Sequence, residues 1–320
     1  MMANRIIRVA ALAVAVCLSL PGGARAADPV AVLTEIRMER GQVQVKRAGE
    51  SQWAVPQPLL ALRPGDQLRA AGEGRAVLVF TGGRGAQSVS ASNSPFTVDA
   101  PAATGSSEKL RGVLGSVTDF LVGKQKDLNY LPLSVRAVRP PPVLPLSPRD
   151  TRLVSAPVVF EWSGPDSLRY RIQVSGPQGV LWEQANLPRK PLTYPASAPA
   201  LSPGVRYAWQ LEAPGKPAQR TEFELLTAAD AARAREAMDL ITPAALPGSS
   251  QSSVAVMRAG WLFQQQLYAD SRRELMTALA ADPDEPTLHL VLGQVYERIG
   301  LGEMATREFI EARDLSSRKP

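Results

Sequence analysis

Thiols and imidazoles are nearly absent from this chain, which has one cysteine and one histidine in 320 residues. Cys17 lies in an N-terminal apolar run that export is expected to remove, which leaves the mature chain without a thiol. Disulfides, thiolate–metal sites and cysteine nucleophiles are thereby excluded. His289 stands alone between Leu288 and Leu290 and reads as a packing or surface residue. There is no Gly-rich phosphate loop, no paired His-x-x-x-His and no nucleophile elbow. No catalytic residue, cofactor or metal is therefore expected, and an enzyme survives only as a carboxylate pair assembled by folding. Long apolar runs are missing too. Val9–Leu20 is about a dozen residues, against the ~20 that a transmembrane helix needs, so no membrane anchor is expected.

What that short run does fit is a secretory leader. Arg5 and Arg8 precede it, Pro21-Gly22-Gly23 breaks it, and Ala24-Arg25-Ala26 offers small residues to a signal peptidase. Residues 1–26 are predicted to be removed after Ala26, which places the protein in the periplasm. Cys17 follows Val16 rather than the small residue of a lipoprotein signal, which argues against a lipid anchor. The leader holds three of the 36 basic residues and no acidic one, so the excess over the 30 acids falls from +6 to +3. That excess is slight, and no dense basic stripe with stacking aromatics is present, so nucleic acid is not an expected partner.

The mature chain divides at its Pro-rich and small-residue breaks into a β domain at 27–100, a linker at 101–149, a β-sandwich at 150–226 and a helical domain at 227–320. The fold class is multidomain β plus α. In the first part Gly41-Gln42-Val43-Gln44-Val45-Lys46 alternates polar and apolar, Trp53 follows, then Leu59, Leu60 and Leu62, the Pro64-Gly65-Asp66 turn, and the apolar strand Arg75–Phe80. The order G-x-V-x-V, Trp, L-x-x-G-D-x-L and apolar strand over Gly41–Phe80 resembles the FecR-type periplasmic domain. The resemblance implies a small all-β fold. Where that family continues with Asp-Gly, this chain has Thr81-Gly82-Gly83-Arg84-Gly85. No cytoplasmic segment and membrane helix precede the match, so signal relay to a transcription factor is not implied. Lys46, Arg47, Arg63, Arg69, Arg75 and Arg84 read either as a solvated surface or as a patch for an anionic envelope glycan or lipid.

In the linker Val113, Val117, Phe120, Leu121 and Leu128 recur at helical spacing, and the stripe docks on the first domain or adsorbs to a membrane. Pro140-Pro141-Pro142, Pro145 and Pro148 predict a stiff extended spacer. From Pro157 to Leu226 alternation returns in short runs that predict a β-sandwich, read as a spacer. Leu201-x-Pro203-Gly204-x-x-Tyr207 resembles the tyrosine corner of fibronectin type III or immunoglobulin-like domains, with Trp162 and Trp209 as core. Thr227 caps a helix over Ala228–Ile241.

Residues 255–315 repeat with a 34-residue period: Ala259 with Gly293, Leu262 with Tyr296, Ser271 with Ala305, Leu275 with Phe309 and Ala278 with Ala312. With Asp282-Pro283 between the units, this pattern resembles the tetratricopeptide repeat, Arg258 and Ser271 being departures in the first copy. The resemblance implies two helical hairpins whose first helices line a concave groove at Val256, Gly260, Phe263, Gln264, Leu290, Gln294, Glu297 and Arg298. Asp282, Asp284 and Glu285 read as helix-terminal charges. The helix over Ala228–Ile241 is the nearest cap for an exposed end, folded back over a flexible Ser249–Ser253. The expected occupant of the groove is a peptide or helix of another envelope protein, with the capping helix or a second copy of the chain as alternatives. The function expected is a periplasmic, non-catalytic adaptor. The runner-up is a peptidoglycan-binding or peptidoglycan-processing protein that uses the N-terminal β domain.

Overall fold

The computed structural model describes residues 28–99, 108–124 and 142–317. The predicted leader with its cleavage site, most of the small polar stretch after Ala100, Leu128, Pro140 and Pro141 lie outside the described residues.

The chain opens with β1 (Ala31–Arg37), β2 (Gly41–Lys46), β3 (Ala61–Leu62), β4 (Gln67–Gly72), β5 (Arg75–Phe80), β6 (Ala86–Val89) and β7 (Phe96–Thr97). They form a β3-β1-β5-β6 sheet and a β2-β4-β7 sheet that share a core of Leu33, Ile36, Val43, Val45, Leu62, Leu68, Leu78, Phe80 and Val89. The Pro64-Gly65-Asp66 turn is fixed by the Asp66 carboxylate, which accepts the backbone N–H groups of Arg63 at 3.0 Å and Ala48 at 2.9 Å and pairs with Arg47 at 2.7 Å. β1 escaped the sequence reading because period-2 alternation fails in it. Six of its seven residues are buried, since both of its faces are covered.

After β7 comes α1 (Glu108–Lys124), the predicted amphipathic helix. It lands on the Gly-rich turn that departs from the FecR pattern. Gly83 has φ +67°, and a Cβ there would lie 2.4 Å from Arg111 Cα. Glycine is what lets the helix sit that close.

The second β unit begins earlier than residue 150. β8 (Leu144–Ser147) pairs with the strand Val159–Ser163, so Pro145 and Pro148 belong to a sheet edge and its exit rather than to a free spacer. An edge strand tolerates Pro145 because one row of its N–H groups has no ladder partner to lose. With β9 (Thr151–Leu153), β10 (Val159–Ser163), β11 (Tyr170–Gly176), β12 (Gly179–Leu187), β13 (Leu192–Thr193), β14 (Arg206–Glu212) and β15 (Gln219–Leu225) it forms sheets ordered β13-β10-β8 and β12-β11-β14-β15-β9. Phe160, Tyr170, Ile172, Val174, Trp209 and Phe223 fill the space between them.

Helices α2 (Ala228–Leu240), α3 (Gln251–Gln264), α4 (Tyr268–Ala281), α5 (Pro286–Arg298) and α6 (Gly302–Ser317) complete the chain. Thr227 caps α2 by accepting Asp230 N–H. Ser250 caps α3, and Ser252 and Ser253 are buried in its first turn, so the stretch expected to be a flexible fold-back is the capped start of a helix. α3 pairs with α4 and α5 with α6. The second hairpin closes over Gly293, where a Cβ would lie 2.5 Å from the Phe309 ring.

These parts are not beads on a string. One core cluster runs from Val32, Leu59 and Val79 of the first β domain through Leu110, Leu114, Val117 and Leu121 of α1 into Val256, Ala259, Leu290 and Val295 of the hairpins. The second β unit docks on the hairpins as well, rather than standing off as a spacer. Arg152 N–H donates to Gln266 O at 2.9 Å, Ala269 N–H to Thr151 Oγ1 at 3.2 Å, and Arg272, almost fully buried, pairs with Glu161 at 2.7 Å.

Candidate functional site

The first helices of the two hairpins, α3 and α5, face the same way, and the face they present is filled by the chain itself. α1 lies along α3, and β1 lies against both α3 and α5. Gly260 admits α1: a Cβ there would stand 3.1 Å from Val117 and 3.3 Å from Leu121. Phe263 packs on Phe120 with the rings tilted by 37° and their centroids 5.3 Å apart, and the Gln264 side-chain amide donates to Ser116 O at 2.8 Å. Val256, Gly260, Phe263, Leu290 and Gln294 are buried and Gln264 is half-buried, while Glu297 and Arg298 are exposed at the C-terminal end of α5. Arg298 Nε donates to the hydroxyl of Tyr268 at 3.0 Å, which places this polar rim beside the exit of α3. What lies against this face is α1 with β1, rather than the α2 helix named as one alternative occupant. α2 packs elsewhere on the first hairpin, through Ala231, Ala234, Leu262 and Leu267. Arg258 fixes it there by donating to the carbonyls of Ile241 at 2.9 Å and Met238 at 3.1 Å, at the helix end where a cation is favoured.

At the other end of the same face, folding assembles a polar cluster that the sequence did not reveal. The β1–β5 register slips between Leu33 and Glu35, and this bulge turns both Thr34 and Glu35 toward α3 while Ile36 returns to the β core. Thr34 Oγ1 donates to Ser253 Oγ at 3.0 Å. Glu35 accepts from Ser250, from Ser253 at 3.3 Å and from Arg37 at 3.1 Å. Arg37 also pairs with Asp282, which accepts from Ser252 at 2.6 Å. Glu285 caps α5 through Thr287 N–H at 3.1 Å and accepts the backbone N–H of Ile36 at 3.2 Å. Glu35 and Glu285 are 0% and 1% exposed, so this carboxylate pair is sealed between β1 and the hairpins. Burial, with the Glu35 charge beside it, pushes the Glu285 carboxyl well above its ordinary range, against the pull of the Thr287 and Ile36 hydrogen bonds.

His289 is likewise committed. Its Nδ1 meets Glu308 at 2.7 Å and its Nε2 meets Pro283 O at 2.9 Å, two acceptors that only the imidazolium can satisfy together. Burial opposes the charge, but the Glu308 and Pro283 hydrogen bonds and the acids nearby outweigh it and raise the imidazole pKa. It ties α5 to α6. Among the described residues no helix is long and apolar enough to cross a membrane. The chain matches no protein-family model and no curated protein sequence.

Proposed function

We propose that the chain is an exported, non-catalytic adaptor of the cell envelope, with a FecR-like β domain, a fibronectin-like sandwich and a tetratricopeptide-like hairpin pair. The observation that supports this reading is the face of α3 and α5 covered by α1 and β1 of the same chain, which we read as a peptide-binding groove. The first ligand of the hairpins is thus the chain's own N-terminal domain, and docking makes a scaffold whose outer surfaces hold fixed relative positions. A second envelope protein is met at the rim left open beside Arg298 and Glu297. Two features support a role without catalysis. The carboxylate pair is closed to any substrate, and the histidine has both nitrogens engaged.

Affinity capture from solubilised envelopes tests this, comparing the full chain with a Glu297→Lys, Arg298→Glu variant that melts at the parent temperature. The expected result is a protein recovered by the parent and lost with the variant. Equal recovery by both removes the rim as the binding site, and recovery of no protein by the parent overturns the adaptor reading.

A further inference from the structure

The β2-β4-β7 sheet turns one face to the core and the other to solvent. On the outer face Gln42, Gln44 and Lys46 of β2 stand opposite Ala71, Arg69 and Gln67 of β4, and Thr97 of β7 stands opposite Gln67. The inner face takes Val43, Val45, Leu68 and Ala70. A backbone bridge between Val45 and Ala54 brings Trp53 alongside Lys46, which lays the indole across the outer face.

Arg69 is held there with unusual completeness for an exposed residue. Its guanidinium carbon lies 4.2 Å from the centre of the Trp53 ring, and its Nε donates to Gln44 Oε1 at 2.7 Å. The Lys46 ammonium sits 5.4 Å from the same ring. One side of the guanidinium is thus backed by an indole and one edge is spent on an amide, which leaves Nη1 and Nη2 as a fixed fork. Neither cation has a carboxylate partner among the described residues, whereas Arg47, next in the chain to Lys46, is neutralised by Asp66. Two cations thus share one ring, which draws each by its π-face but carries no negative charge to neutralise them. An anion bound between them would complete the arrangement.

We infer that this outer face binds a carboxylate-bearing glycan, with the Arg69 fork taking one carboxylate bidentately, Lys46 supporting its charge, and Gln42, Gln67 and Thr97 meeting sugar hydroxyls. A planar guanidinium with two parallel N–H groups matches a carboxylate. Two cations set among neutral amides match a polymer of sparse charge, not the dense charge of a polyphosphate. The same polar side chains offer a bilayer little to bury. The inference does not depend on the rim beside Arg298.

The test is titration of the full mature chain at physiological ionic strength with oligogalacturonate, with its fully methyl-esterified form, with polyphosphate and with phosphatidylglycerol vesicles. Saturable binding to oligogalacturonate alone is expected, and Arg69→Ala should weaken it about tenfold or more by removing a charge-assisted fork. Gln44→Ala, which frees the guanidinium to swing, should weaken it by less. Melting temperatures close to the parent confirm that both variants are folded. The inference is overturned by no binding to oligogalacturonate, by equal binding of its ester, by equal affinity of Arg69→Ala, or by tighter binding to polyphosphate or vesicles.

Discussion

The Tyr207 hydroxyl accepts the backbone N–H of Ser202 at 2.7 Å, across a loop that turns at Gly204 with φ +76°. Tyr207 is 4% exposed, so that N–H has little water to fall back on. Tyr207→Phe should cost about 1 kcal/mol, the net worth of an ordinary buried hydrogen bond. Equilibrium denaturation of the full chain measures it, and an unchanged midpoint would remove the phenol from any structural role. The two departures from the repeat pattern have local explanations of the same kind. Arg258 caps α2, and Ser271 Oγ donates to Ala259 O at 2.9 Å where the hairpin crosses. Arg258 is spent on a helix outside the hairpin, and Ser271 on the crossing within it.

Among the elements, β1 carries the most consequence, because its bulge delivers Glu35 to the start of α3 and its Ile36 N–H to Glu285. Among the described residues Glu35 and Arg37 act on Glu285 together with the hydrogen bonds from Ile36 and Thr287, and Arg37 in turn pairs with Glu35 and Asp282. Since the folded pKa of Glu285 is raised, its proton stabilises the docked state fully below the ordinary carboxylate value of 4.5, and that contribution is lost as pH rises through the folded value. Glu285→Gln keeps an acceptor for Ile36 and Thr287 and removes the charge. It should therefore melt higher than the parent, by a margin that grows as pH rises from the ordinary carboxylate value toward the folded one. Melting curves across that range decide it, and a constant margin would mean that Glu285 does not titrate at this interface.

At the scale of the whole molecule, α1 is shared property. Leu114 and Leu121 are 1% and 0% exposed within a cluster that also holds β-domain and hairpin side chains. Leu121→Ala should cost about 2–5 kcal/mol, the range for emptying a buried leucine site. The loss should appear in both parts at once, because Val32, Leu59 and Val79 of the β domain lie in the same cluster as the hairpin side chains. Hydrogen exchange is the measurement: amides of β1 and of α3 should lose protection together. If the β1 amides keep parental protection while α3 opens, the two parts are independent domains. The docked sandwich extends the same principle, since Arg272 is buried where α4 meets β10 and has Glu161 as its partner.

The sequence by itself determined what depends on neighbours along the chain. The 34-residue period places the helical hairpins, because a small residue at each crossing and a large one opposite leave their mark in spacing, as Gly293 and Phe309 do. The apolar stripe from Val113 marks α1, Thr227 marks the start of α2, and the Leu201-to-Tyr207 pattern marks a loop that its own tyrosine ties. Which residues of α3 and α5 share a helix face was legible for the same reason, as places on a helix. What lies against them was not, because α1 and β1 are more than a hundred residues away in sequence and their fit depends on shape. β1 was invisible since burial on both faces erases alternation. Arg69 was visible only as one of several basic residues, and Glu285 only as a helix-terminal charge. The tertiary structure alone decided that one lies across an indole and the other under a bulge, since pairing of that kind is set by where strands and helices cross.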